Sequence, residues 1–275
     1  MHDIMKLGRK ENFTMKKFTY MTTLALAASM FALGGCSSNS SSSPTTPTIA
    51  YNEASTSHYD VVKRDKSINV DGKLDDEAWK DIPAIAGGFH FPWDKKESPY
   101  TEFKGYHDKD NFYFCFTVKD SEVLQDDNWK DDESTVDMED RVELFFAGPY
   151  IDKPGPDGME KYYGLEIDPK GRVHDYSIEY YRKFDGKWNM EGLETKATVT
   201  DDGYIVEGKI PMKSLQDLKL INHDVMRAGI YRAEFSKPEA SGKDPKMEWI
   251  SWVDPKTANP DFHVASSFGE FRFLQ

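Results

Sequence analysis

Residues 111–119 read Asn111-Phe112-Tyr113-Phe114-Cys115-Phe116-Thr117-Val118-Lys119, and the apolar side chains at every second position of this stretch decide the fold. Every second residue from Phe112 to Val118 is apolar and falls on one face at a period of two, which is the period of a β-strand. The stretch 141–146 repeats the pattern, with Val142, Leu144 and Phe146 on one face and Arg141, Glu143 and Phe145 on the other. Both stretches are predicted strands whose apolar face is buried in a shared core.

Working outward from these two, turn residues divide the rest of the chain into short segments. The further strand candidates are 102–107, 162–168, 172–184, 193–200, 203–210, 227–236, 247–253 and 269–274. Asp201-Asp202-Gly203 and 168–171, DPKG, are predicted turns. Helical signal is confined to one turn near 75–79 and another near 212–215. The chain therefore predicts an all-β fold, an antiparallel, jelly-roll-like β-sandwich of about ten strands, over residues 58–275.

The charge balance excludes several partners. With 35 basic and 48 acidic residues the net charge is -13, so a nucleic-acid-binding role is excluded for want of a basic footprint. The same negative net charge disfavours electrostatic binding to anionic membranes. Two cysteines cannot build a disulfide framework, and Cys115, inside an aromatic strand, is predicted to be buried.

The N-terminal residues have the features of a targeting signal. Lys16 and Lys17 precede a short apolar run, 24–34, which is too short to span a membrane and has the layout of a secretory signal. Residues 33–36, LGGC, resemble the lipobox of bacterial lipoproteins, which implies that 1–36 is a signal with lipidated Cys36. Counted from Met15 the signal has the usual compact layout, so we expect Met15 to be the true start. Residues 37–57 begin with a Ser/Thr/Pro-rich tether. We expect an exported protein anchored by lipid, with the outer membrane favoured and the leaflet undetermined.

Three stretches resemble the family 9 carbohydrate-binding modules. They are 68–79, INVDGKLDDEAW; 107–114, HDKDNFYF, followed after a loop by 140–146, DRVELFF; and 268–273, FGEFRF. They occur in the family's order across nearly the whole folded body. The resemblance implies a β-sandwich with a sugar site built from two aromatic rings and polar groups at their edge, in a non-catalytic module.

The resemblance also assigns candidate sugar ligands. Trp129 lies in a polar loop where the family carries one stacking tryptophan, and Trp252 or Phe262 lies where the family carries its second aromatic. His263 and Asn259 would supply polar groups beside that second ring.

Further polar candidates come from the strands. Glu143 occupies the family's ligand-binding glutamate position, with a solvated strand residue as the alternative. Glu166 and Arg172 fall in the next hairpin, where the family places hydroxyl partners and where an ordinary cross-strand ion pair is the alternative. Trp79 is predicted to be core, and the role of Trp93 stays open between ligand and packing.

Structural Ca²⁺ is the one cofactor that the resemblance implies. A cluster of acids could hold it, namely Asp126, Asp127, Asp131, Asp132, Glu133 and Asp137. Their spacing does not match an EF-hand, so a solvated acidic loop is favoured. Glycan-degrading enzymes are candidate partners, alongside the membrane and the carbohydrate itself; whether the domain serves such an enzyme, a transporter or cell attachment stays open.

Three other functions remain as alternatives. A glycosidase needs two placed carboxylates, but 48 acidic residues make some pair inevitable. The sequence contains no Gly-x-Ser-x-Gly, His-Glu-x-x-His, Walker or Gly-x-Gly-x-x-Gly motif. A haem-binding electron-transfer domain of the same superfamily would use His and Met ligands. The candidates for that role are His90, His107, His174, His223, His263, Met138 and Met190. The last alternative is a surface scaffold protein without a small ligand.

Overall fold

The alternating stretch is a strand in the computed structural model, which describes residues 57–126, 136–148, 161–179, 182–237 and 245–275. The strands are β1 His58–Lys63, β2 Ala84–Ala86, β3 Thr101–His107, β4 Asn111–Lys119, β5 Arg141–Ala147, β6 Lys161–Ile167, β7 Val173–Glu179, β8 Lys183–Asp185, β9 Glu194–Thr200, β10 Gly203–Pro211, β11 Val225–Ser236, β12 Lys246–Ser251 and β13 Gly269–Phe273. The helical elements within these ranges are α1 Met212–Asp217 and three 3₁₀ turns, Glu77–Trp79, Val136–Met138 and Ala265–Ser267. None of the helices described is long and apolar enough to cross a membrane.

The strands form one curled sheet that folds into two layers. The first sheet runs β8-β7-β6-β5-β11-β13, with β12 also paired to β11, and the second runs β3-β4-β10-β9, with β2 paired to β3. β1 joins the two, because its residues 58–61 pair with β13 and its residues 62–63 pair with β3. The all-β sandwich is confirmed; beyond the sequence prediction, the structure adds β1 and β2, and both pairings of β1 are parallel.

The inner faces of the two sheets make the main core. Phe112, Phe114 and Phe116 of β4 meet Val142 and its even-numbered neighbours on β5, as the period of two predicts. The turn between β9 and β10 needs a glycine, because Gly203 has a φ of 148° and an added Cβ would lie 1.9 Å from the Val118 carbonyl oxygen.

Each sheet also has an outer face that is covered by irregular chain. On the second sheet, Tyr106, Tyr113 and Cys115 are covered by the segment 64–83, which inserts Trp79. Trp79 is 4% exposed and Cys115 is 1% exposed, which confirms both as core residues. On the first sheet, the rings of β5, β6, β7 and β11 pack with Trp93 and the segment 254–268.

Candidate functional site

The outer face of the first sheet gathers aromatic and charged side chains, and we call it the aromatic face. Its rings are Phe145, Tyr162, Tyr176, Tyr231, Phe262 and Phe268, with Trp93 and Trp249 packed beside them. The strand register builds it: Glu143 on β5 lies opposite Glu166 on β6 and Tyr231 on β11, and Glu166 lies opposite His174 on β7. These residues point outward because their even-numbered neighbours on β5 fill the core.

Two buried carboxylates share one guanidinium on this face. Nε of Arg141 lies 2.9 Å from Oε1 of Glu143 and 2.8 Å from Oε2 of Glu166. The single Nε hydrogen is donated to Glu143, so Glu166 Oε2 has a charge contact but no hydrogen-bond donor. The other oxygen of Glu166 accepts a hydrogen bond from the Tyr176 hydroxyl at 2.8 Å. Among the described residues, Oε2 of Glu166 therefore has an ion-pair contact but no hydrogen-bond donor.

Burial controls the protonation of this pair. Desolvation, followed by the charge of Glu166, raises the pKa of Glu143 to about 8. Burial therefore favours the protonated form of Glu143, and the Arg141 guanidinium lies beside both glutamates. A protonated carboxyl beside a carboxylate acceptor is a donor–acceptor pair of the kind that hydroxyl groups bind.

The rings pack in a defined order above this pair. Phe262 stacks on Tyr231 with 4.2 Å between centroids and 15° between planes, and Trp93 and Trp249 flank it at 5.2 and 5.3 Å. Trp249 also lies over the Arg141 guanidinium at 5.4 Å, a cation–π contact. Phe262 and Tyr231 are buried, whereas the flanking Trp93 and Trp249 are half-buried.

His263 connects the covering segment to the sheet. Its ring stacks on Phe145 at 5.2 Å, and its Nδ1 lies 3.1 Å from the Tyr162 hydroxyl. Burial lowers the pKa of His263 to about 4, so the imidazole is neutral and can accept the Tyr162 hydrogen.

Phe184 is the most exposed ring of this region and was not predicted from the sequence. Its side chain on β8 is 56% exposed, and its ring packs against Tyr176 at 5.4 Å and His263 at 5.5 Å. The available signal was its register: Phe184 pairs with Ile178, which lies on the outward side of β7. A search restricted to tryptophans misses it.

The structure brings four of the predicted site residues to the aromatic face: Glu143, Glu166, Phe262 and His263. Trp252 lies elsewhere, since its ring packs against Phe271 of the main core and an added Cβ on Gly269 would touch it. On this part of the chain Trp249 is the tryptophan directed to the aromatic face.

Two further predicted residues have other surroundings, and two lie outside the described residues. Arg172 Nη2 lies 2.8 Å from Oε2 of Glu139, and its Nε is 2.5 Å from Oδ2 of Asp168. Asn259 is exposed, and its carbonyl oxygen accepts the Thr257 hydroxyl. Trp129 and Cys36 lie outside the described residues.

Two groups within the described ranges bring together side chains that could hold a metal ion. Asp137, Glu166 and His174 lie on the aromatic face, and the second group is Asp120, Asp140 and Glu234. In the first, His174 already contacts Asp137 at 2.9 Å. Of the acidic cluster considered from sequence, only Asp126 and Asp137 are described.

Known proteins supply the context for this geometry. The profile of the family described as carbohydrate family 9 binding domain-like matches residues 70–275. A solved protein of Bacteroides uniformis ATCC 8492, to which carbohydrate binding is ascribed, is similar in fold, with 15% identity, a TM-score of 0.57, and coverage of 80% of this chain and 100% of its own. A family 9 carbohydrate-binding module of Caldicellulosiruptor kristjanssonii in complex with cellotriose has 19% identity, a TM-score of 0.50, and coverage of 79% and 93%. No curated protein matches the chain.

Proposed function

Since the chain belongs to the carbohydrate family 9 binding domain-like family, we propose that its aromatic face binds carbohydrate and catalyses no reaction. The observation that carries the proposal is the unpaired Oε2 of Glu166, a buried acceptor surrounded by aromatic rings. Buried carboxylate oxygens are nearly always hydrogen-bonded, so an unpaired one at a partly open aromatic face suits a ligand that brings its own hydroxyl.

The chemistry of a sugar matches both halves of this face. A pyranose ring buries its C–H face against an aromatic side chain, and Phe184, Trp249 and Trp129 are the proposed platforms. Its hydroxyls bond carboxylates at the edge, for which Glu143 and Glu166 are the proposed partners. Arg172, Asn259 and His263 remain candidates at the periphery, while the packing of Trp252 makes it a weaker one.

We further propose that the domain is exported and lipid-anchored through Cys36, at the outer membrane, beside enzymes that degrade glycans. The support is the sequence alone: basic residues, a short apolar run, and LGGC ending at Cys36. The test is fractionation of cells that express the full chain or Cys36→Ser. We expect the unchanged chain in the membrane fraction and the variant in the soluble fraction; equal distribution would contradict the anchor.

The binding test is a glycan array probed with the full chain. Cello-oligosaccharides are among the probes because a structural relative was solved with cellotriose. We expect binding in the millimolar to micromolar range, or about -4 to -8 kcal/mol. Phe184→Ala, Trp129→Ala and Glu166→Gln should weaken it, and at least one should abolish it.

Tyr100→Ala is the matched control, since Tyr100 is another exposed aromatic, at 42%, next to the second sheet. Binding that survives all three variants would place the site elsewhere. Release of reducing ends from a bound glycan would instead indicate an enzyme, and a coloured purified protein would favour the haem alternative.

A further inference from the structure

Tyr176 joins the two halves of the aromatic face, the acidic pair and the exposed ring. Its hydroxyl donates a hydrogen bond to Oε1 of Glu166 at 2.8 Å, and its ring centroid lies 5.4 Å from that of Phe184. The residue is only 3% exposed, so it contacts both groups while offering almost no surface of its own to a ligand. The position of the Tyr176 ring therefore relates the acceptor at Glu166 to the ring at Phe184.

A glycine on the neighbouring strand makes room for this ring. Gly164 on β6 lies directly opposite Tyr176 on β7, and a Cβ added to Gly164 would lie 2.4 Å from Cε2 of Tyr176 and 2.7 Å from its hydroxyl oxygen. The ring thus lies across Gly164, and its hydroxyl reaches Glu166, two residues further along β6. A glycine inside a strand often marks such a close approach. Gly164 is not among the glycines with positive φ, so this position needs glycine for space rather than for backbone conformation.

Two further rings fix the plane of Tyr176. Phe145 lies 6.1 Å away with 75° between the planes, and His174 lies 5.3 Å away with 66°, so both contacts are edge-to-face. Burial, followed by the charges of Glu166 and Glu143, raises the pKa of Tyr176 well above 10. The hydroxyl therefore keeps its hydrogen throughout the neutral range and acts as a donor to the carboxylate.

The Glu166 carboxylate is thereby held in a defined direction. Tyr176 engages Oε1, whereas Oε2 contacts Arg141 Nε at 2.8 Å and accepts no hydrogen bond from a described residue. A sugar whose C–H face is stacked on an aromatic ring presents its hydroxyls at fixed places around its edge. Whether one of them meets Oε2 depends on the distance and angle between that ring and the carboxylate. A site built to bond a hydroxyl rejects sugars that do not place one there.

We propose that Tyr176 is a positioning residue by which the aromatic face selects between sugars that differ at one hydroxyl. The inference rests on the proposed carbohydrate binding at this face, with Phe184 as a platform. Tyr176 acts through Glu166 and Phe184, because it fixes the acceptor relative to the platform without contacting the sugar. Gly164 supports the same function, because it lets the ring occupy this place.

The test compares the affinities of the full chain for two glycans that differ at one hydroxyl of each sugar. Cellotriose and β-1,4-linked mannotriose are the probes, since they share their length and linkage and differ in the orientation of the 2-hydroxyls. If the glycan array identifies another ligand, that glycan and its epimer at one hydroxyl replace them. We expect the unchanged protein to prefer one of the two by about tenfold or more.

Tyr176→Phe keeps the ring over Gly164 and removes only the hydroxyl that holds Glu166. We expect it to lower the ratio of the two affinities to about threefold or less. Partial unfolding would reduce both affinities by the same factor and leave their ratio unchanged, so the ratio distinguishes positioning from a purely structural role. Gly164→Ala displaces the ring but keeps the hydroxyl, and it should lower the ratio in the same way.

Each variant has a matched control. Tyr113 is also buried, and its hydroxyl donates to Oδ2 of Asp108 at 2.9 Å, but it lies on the outer face of the second sheet. Tyr113→Phe should therefore leave the ratio unchanged. Gly186 follows β8, and a Cβ added there would meet nothing within 4 Å, so Gly186→Ala should also leave the ratio unchanged.

The outcomes separate this inference from the proposed function on which it rests. If the unchanged protein binds both glycans equally, or if Tyr176→Phe keeps the full preference, the positioning role is overturned while carbohydrate binding stands. A ratio that falls as far in Tyr113→Phe as in Tyr176→Phe would overturn it too. Absence of binding to every glycan would overturn both proposals. If Gly164→Ala does not fold, Tyr176→Phe decides alone.

Discussion

The outer faces of the two sheets are built alike, yet they differ in how completely their polar groups are paired. Each carries aromatic rings and a buried glutamate, and each is covered by irregular chain. On the second sheet, Glu207 accepts three hydrogen bonds, from Trp79 Nε1 at 2.7 Å and from the backbone N–H groups of Asp71 and Gly72 at 2.9 and 3.1 Å. On the aromatic face, Glu166 Oε2 accepts no hydrogen bond from the part of the chain that the structure describes.

The difference separates a structural face from the proposed binding face. The donors to Glu207 come from the segment that covers it, so the carboxylate and its cover satisfy each other and leave nothing for a ligand. Glu166 shares its counter-ion with Glu143, and an exposed ring, Phe184, stands at the edge of the same face. Aromatic content alone would not distinguish the two faces; the unpaired acceptor does.

The largest expected effect is on the aromatic face, from Arg141→Met. This change leaves the buried Glu143–Glu166 pair without the one cation that both side chains contact, so we expect a loss of about 3–5 kcal/mol in the free energy of unfolding. Urea unfolding at pH 7 measures it. Adding Glu143→Gln and Glu166→Gln to the variant should recover part of the loss; if stability stays equally low, the charge imbalance is not its cause.

The next effect concerns the second sheet. Glu207→Ala removes the acceptor of Trp79 Nε1 and of two backbone N–H groups, and we expect it to cost about 2–4 kcal/mol. Carbohydrate affinity of the folded protein should not change. Glu194→Ala, which removes an exposed carboxylate paired with Lys209, is the control and should shift stability by less than about 0.5 kcal/mol. A loss of carbohydrate affinity in Glu207→Ala would show that the two faces do not have separate structural and binding roles.

Acid should act on the aromatic face through His263. Burial lowers its folded-state pKa from 6.5 to about 4, so its contribution to stability is complete above pH 6.5 and is lost as the pH falls toward 4. The loss should reach about 2–3 kcal/mol. The pH dependence from Glu207 has the opposite sign. Burial raises the pKa of Glu207, so its contribution to the free energy of unfolding falls as the pH rises.

The measurement is the difference in unfolding free energy between the unchanged protein and His263→Gln across pH 4–7. Glutamine keeps an acceptor for Tyr162 but does not titrate. A difference that stays constant with pH would show that His263 does not hold the depressed pKa.

The smallest effect on stability is expected at Phe184. Because this ring is mostly exposed, Phe184→Ala should change the free energy of unfolding by less than about 1 kcal/mol. It should nonetheless weaken carbohydrate binding about tenfold, or about 1.4 kcal/mol. Paired denaturation and binding titrations separate the two quantities, and a stability loss as large as that of Glu207→Ala would make Phe184 a structural residue instead.

Period-two alternation predicted the sandwich because it records burial directly. It located β4 and β5 and placed Arg141, Glu143 and Phe145 on a common outward face. It did not locate β1 or its parallel pairing, because HYDVVK is short and half of its residues are polar, and because a strand gives no local sign of its partners. The sharing of Arg141 between two glutamates was equally invisible, since it depends on the register between β5 and β6.

The same limit explains the site residues. Alternation places Trp249 and Trp252 on opposite faces of the predicted strand 247–253, but it does not indicate which face packs towards the rings of β11. In the structure Trp249 lies on that side. The candidates at Glu143, Glu166, Phe262 and His263 came from family likeness, and the fold brings them to one face. Phe184 needed the pairing of β7 with β8, which the sequence does not encode locally.

The double pairing of β1 has a mechanical consequence. Residues 58–61 lie parallel to β13 and residues 62–63 lie parallel to β3, so the first part of β1 is bonded to one layer and its last two residues are bonded to the other. A pull on the preceding chain, while the opposite end of the domain is held by a polymer, would load those hydrogen bonds in shear and require them to fail together. An antiparallel hairpin at the same place would instead unzip one bond at a time. The strand that sequence patterning overlooked is thus well placed to carry tension.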